Sequence, residues 1–177
     1  MHLTTRSVAL ASMVAALAAV PQVHAQSVNY NIAAGLSLAN GDFGDRNDAG
    51  YALIVGLGFT QRASPFSARA EGIYTEYNSK FRDNDKSHAG GITANAIYDF
   101  KPSPSTPVTL YAIGGVGVYS VKEESVFGND SETGVGWNLG GGFRFPLTGF
   151  SAYVEVRYHS VSSANASFTP IVFGLRF

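Results

Sequence analysis

From residue 28 to the end of the chain, apolar side chains recur at every second position. Tyr30, Ile32, Ala34, Leu36 and Leu38 are apolar, with Asn29, Asn31, Ala33, Gly35 and Ser37 between them. The same rhythm runs through 51–59, 66–74, 90–100, 135–145, 152–158 and 171–177. A period of two predicts strands with two chemically different faces. The segment 108–121 (VTLYAIGGVGVYSV) reads as one more strand, whose glycines leave its facing open. Eight strands result, most of them far longer than the ~5–6 residues usual in soluble sheets.

The links between them alternate as well. Segments 40–50, 79–87, 122–132 and 162–167 are polar, and the first three are rich in acidic residues. The intervening links 62–65, 101–107 and 146–149 are shorter and carry Pro or Gly where a ladder has to stop. This predicts an up-and-down antiparallel meander with longer links at one end. Eight strands of this length can close into a barrel that leaves no edge.

Alternation alone does not say which face points outward. The less apolar face holds Arg69, Glu71, Asp99, Arg144, Glu155, Arg157 and Arg176, together with Asn31, Asn95 and Asn138. Isolated charges are costly against lipid, whereas mutually paired ones can fill a narrow lumen. The apolar face gathers Tyr30, Tyr51, Phe59, Phe66, Tyr98 and Phe145 near strand ends, where interfacial aromatic girdles sit. The expected fold is therefore all-β: an eight-stranded antiparallel up-and-down transmembrane β-barrel with its charges inside.

Composition narrows the classes. Among 177 residues there is no cysteine, which excludes a disulfide scaffold or a thiolate metal site. Twelve Lys+Arg against 13 Asp+Glu gives no nucleic-acid footprint. The longest apolar run, residues 8–20, follows Arg6 and ends at Pro21, and Val23-His24-Ala25 supplies a small-residue cleavage site. That pattern predicts a cleaved signal peptide over 1–25 and a barrel domain over 26–177. The run is too short to cross ~30 Å of hydrocarbon as a helix.

The signal peptide, YAIGGVGVYS (111–120), VEVRYHS (154–160) and the terminal VFGLRF (172–177) make the mature chain resemble the small eight-stranded outer-membrane β-barrels of the OmpA/OmpX-like superfamily. The resemblance implies outer-membrane lipid as surroundings. It also implies that Ile171, Phe173, Leu175 and Phe177 form the terminal signal read by the assembly machinery. No separate peptidoglycan-binding domain is expected, because the sequence stops at the eighth strand.

Candidate chemistry is sparse. Arg69 with Glu71, and Glu155 with Arg157, lie two apart and face one side of the third and seventh strands, which should meet across the lumen. With Asp99 and Arg144 they form an expected lumen charge network that closes the interior. His159 and His88 are the candidate bases on strands. Lipid A deacylases pair a His with a Ser two residues on, but here that position is Val161, and Ser160 and Ser162 face away from His159. Asp42, Asp45 and Asp48 lack the spacing of a calcium loop, and the glycines at 140–142 have no phosphate-binding context and suit tight curvature. The reading is a non-enzymatic, monomeric barrel without cofactor, acting in structure, surface interaction or adhesion. A narrow diffusion pore and a lipid-modifying hydrolase are the alternatives.

Overall fold

The computed structural model describes residues 26–61, 64–81, 85–100, 107–125, 128–162 and 164–177. The expected signal peptide lies outside the described residues. Eight strands, β1 (Gln26–Asn40), β2 (Gly50–Gln61), β3 (Phe66–Asn78), β4 (Lys86–Asp99), β5 (Thr109–Ser125), β6 (Gly128–Leu147), β7 (Phe150–Val161) and β8 (Ala166–Arg176), are joined in chain order. They close into one barrel, with every neighbour antiparallel and β1 paired to β8 from Asn31↔Arg176 to Asn40↔Ser167.

The alternation sets the facing. Large apolar side chains stand on the outside, with Ile92 74% and Val135 68% exposed. A continuous apolar belt of this kind is a lipid-facing surface. Aromatic pairs mark both rims: Tyr51–Tyr74 and Trp137–Tyr158 towards one, Phe66–Tyr98 and Phe150–Phe177 at the other.

Three links differ from the sequence reading. The polar segment 122–132 is largely strand, because β5 and β6 continue their ladder through Lys122↔Ser131 to Ser125↔Gly128. Outside the lipid a hairpin needs no apolar face, so the pairing persists after the alternation stops. The link 40–50 contains a one-turn helix, α1 (Gly41–Arg46), which begins at Gly41 with φ 55°. The β7–β8 link is short, since β8 begins at Ala166, and Asn165 turns it with φ 44°.

Candidate functional site

The barrel interior is filled at three levels. In the middle, Arg69 and Glu71 from β3 face Glu155 and Arg157 from β7, all four almost completely buried. The Arg69 guanidinium donates to Glu155 and lies 3.0 Å from Glu71. Arg157 donates to Glu71 at 2.6 Å and lies 3.0 Å from Glu155. Each carboxylate thus meets both guanidiniums, which closes a neutral ring of charge across the lumen. Tyr111 donates to Glu155 at 2.7 Å, and Asn95 donates to Glu71 at 2.8 Å while accepting from Asn138 at 2.9 Å. In a low-dielectric interior such ions persist because they satisfy one another.

Glycines make the space. Gly58 and Gly56 pair with Arg69 and Glu71, and Gly140 and Gly142 pair with Arg157 and Glu155. A Cβ on Gly56 would lie 2.8 Å from Glu71 Cγ, and one on Gly142 would lie 2.6 Å from the Tyr111 hydroxyl. These glycines therefore do more than permit curvature: their missing side chains are the room that the charged ones occupy.

Asp99 and Arg144 do pair, at 2.9 Å, but nearer the end with the short links. Tyr111 links them to the central ring, its own ring lying 5.0 Å under the Arg144 guanidinium. Arg176 also points into this level and donates to Thr60 at 2.7 Å.

Towards the end with the longer links the lumen becomes aromatic. Phe43 drops from α1 edge-on to Tyr77 at 5.3 Å, and Tyr77 meets Phe168. The His159 ring stacks on Phe168 at 4.9 Å and its Nδ1 lies 2.9 Å from the Tyr119 hydroxyl. His159 is fully buried inside, while Ser160 lies on the other face. The helix is tied down by Asn47, which donates to the Phe43 carbonyl at 2.9 Å, and by Lys80, which donates to the Gly44 carbonyl at 2.7 Å. The polar, acidic reading of this link does not include the lid. Phe43, an apolar residue inside a polar segment, was the available signal.

His88 faces outward at the rim. Its Nδ1 lies 2.8 Å from the Tyr74 hydroxyl, and Glu76 accepts from Tyr51 at 2.8 Å and from Lys86 at 2.6 Å. Beside them Tyr74, His88, Gly90, Ser120 and Lys122 line an open recess of about 750 Å³, its mouth included. The sequence carried this group as Tyr74/Glu76 and Lys86/His88, each two apart on one face. Among the described residues no group of His, Asp and Glu could hold a metal ion.

The model of the outer membrane protein beta-barrel domain matches residues 7–177. The chain belongs to that family. Among solved structures this outer-membrane β-barrel is similar to Neisserial surface protein A (NspA), with a TM-score of 0.68 and 18% identity over 86% of this chain and 98% of that one. It is also similar to the N-terminal β-barrel domain of Pseudomonas aeruginosa OprF, with a TM-score of 0.51 and 16% identity over 87% of this chain and 100% of that one. At such identities the likeness is one of fold. No curated protein matches the sequence. Family and apolar belt together place the protein in the outer membrane.

Proposed function

We propose that this barrel is a closed, monomeric, non-enzymatic outer-membrane protein whose work is surface interaction through its longer links. The observation carrying this reading is the obstruction of the lumen at successive levels, by the Phe43–Tyr77–Phe168 cluster and by the Arg69–Glu71–Glu155–Arg157 ring. A solute would have to break both. What remains available to a partner is the end bearing α1 and the β3–β4 link, where Phe81 is 76% exposed beside Lys80. Exposed aromatic side chains are enriched among the residues of protein contacts. On this proposal residues 1–25 direct export and are removed, and the terminal strand is read by the assembly machinery.

Purified protein in planar bilayers is expected to show no steady conductance. A stable open channel would overturn the closed-lumen reading, and Phe81→Ser is expected to weaken adherence of expressing cells while leaving the folded barrel intact. Unchanged adherence would remove the role given to that link.

Sidedness is tested separately. With the longer links outside and the N-terminus inside the envelope, protease added to intact cells should cut only near Arg46, within 80–86 or at Lys122. Cleavage confined to the neighbourhood of Lys101 would reverse the orientation.

A further inference from the structure

We propose that the recess in the lumen at the short-link end is a binding site for a small anion of chloride or formate size, held by Arg176 and Arg144. This goes beyond the surface role proposed above and does not depend on it.

The first observation is a charge imbalance. The four guanidiniums inside the barrel are Arg69, Arg144, Arg157 and Arg176, and the carboxylates among them are Glu71, Asp99 and Glu155. The central ring consumes Arg69, Arg157, Glu71 and Glu155, and Arg144 takes Asp99. Arg176 instead donates to the Thr60 hydroxyl, within the electrostatic reach of Arg144, Asp99 and Arg69. Among the described residues no carboxylate lies within ion-pair distance of it. A half-buried cation whose hydrogen-bonded partner is a neutral hydroxyl, and whose neighbouring carboxylate Asp99 is already paired to Arg144, can still take up negative charge.

The acidic residues lie mostly elsewhere. Among the described residues, Asp42, Asp45, Asp48, Glu76, Asp85 and Glu132 belong to the opposite end of the barrel or its links. Among the described residues, the short-link end sets Asp99 as its one acidic side chain against Arg144 and Arg176. The field at that mouth therefore draws anions in.

Hydrogen bonding around the recess has the matching polarity. Asn31 donates to Asn29, Asn29 donates to Thr60 Oγ1 at 3.0 Å, and Arg176 donates to the same oxygen at 2.7 Å. With two N–H groups already on its oxygen, the Thr60 hydroxyl directs its own hydrogen elsewhere, as one more donor. The open space lined by Asn29, Asn31, Thr60, Ser67, Arg144 and Arg176 is about 280 Å³ with its mouth. A halide or the head of a small carboxylate fits in this space, where Arg176 and Thr60 can both donate to it.

The test uses the full mature barrel refolded in detergent micelles with sodium chloride as probe. The ³⁵Cl resonance is expected to broaden on adding wild-type protein, to sharpen again on adding formate, and to be unaffected by gluconate at the same ionic strength. Arg176→Gln should abolish the excess broadening and Thr60→Val should reduce it, whereas Arg46→Gln, at the other end, should leave it unchanged. In thermal unfolding, chloride in place of gluconate should raise the wild-type Tm by about 3–5 °C and leave Arg176→Gln unmoved. Equal broadening by wild type and Arg176→Gln, or none that formate competes away from the wild type, would mean that the recess holds water only. The competition requires no variant, so it decides the matter even if Arg176→Gln does not refold.

Discussion

Replacing Glu155 by alanine is expected to destabilise the barrel by about 3–5 kcal/mol, the cost of leaving a buried charge uncompensated. Glu155 accepts from Arg69 and Tyr111 and lies against Arg157, all in the closed middle of the lumen. Its removal leaves two guanidiniums facing one carboxylate, Glu71. The double variant Glu155→Ala/Arg69→Leu restores neutrality, because Glu71 and Arg157 remain paired at 2.6 Å. It should therefore recover about 1–3 kcal/mol relative to additivity. Urea unfolding of the refolded protein in lipid vesicles measures both. Single and double losses that simply add would show that the four residues are not one electrostatic unit.

The cycle also separates two ways in which charge enters this fold. Facing was legible in the sequence, since alternation alone sends Arg69, Glu71, Glu155 and Arg157 to one side of their strands. Height was not. Which inward residues meet across a barrel depends on the stagger of its strands, and periodicity carries no record of stagger. For that reason Asp99 and Arg144, expected in the same network, form their own pair at one mouth, linked to the ring through Tyr111. The lid escaped for a related reason. Once a link leaves the lipid, its polar residues look alike whether they are solvated, as expected of Asp42 and Asp45, or ordered into a turn of helix that inserts Phe43. Inward glycines two apart, Gly56 with Gly58 and Gly140 with Gly142, were a readable clue to where bulky neighbours had to fit, since each sits beside one of the four buried charges.

Phe177→Asp is expected to abolish most assembly of the barrel into the outer membrane while leaving export and the intrinsic stability of the fold nearly intact. The two halves of that expectation have different causes. Phe177 sits at the seam where the barrel closes: its amide donates to the Tyr30 carbonyl at 3.0 Å and its carbonyl accepts from the Tyr30 amide at 3.1 Å. Those backbone bonds do not depend on the side chain. The ring points outward, 58% exposed, and stacks on Phe150 at 6.0 Å in the rim girdle. Near an interface a charged side chain costs a barrel only about 0–1 kcal/mol, against ~2–4 at the bilayer midplane. Thermodynamics alone thus predicts a variant that still refolds into vesicles and migrates as a folded barrel on unheated gels. A large loss in cells must then come from recognition of Ile171, Phe173, Leu175 and Phe177 on the outward face of β8 before the seam closes. Refolding in vitro and heat-modifiable barrel recovered from cells are the paired measurements. Equal loss in both would make Phe177 a stability residue, and no loss in cells would remove the assembly role from the terminal strand.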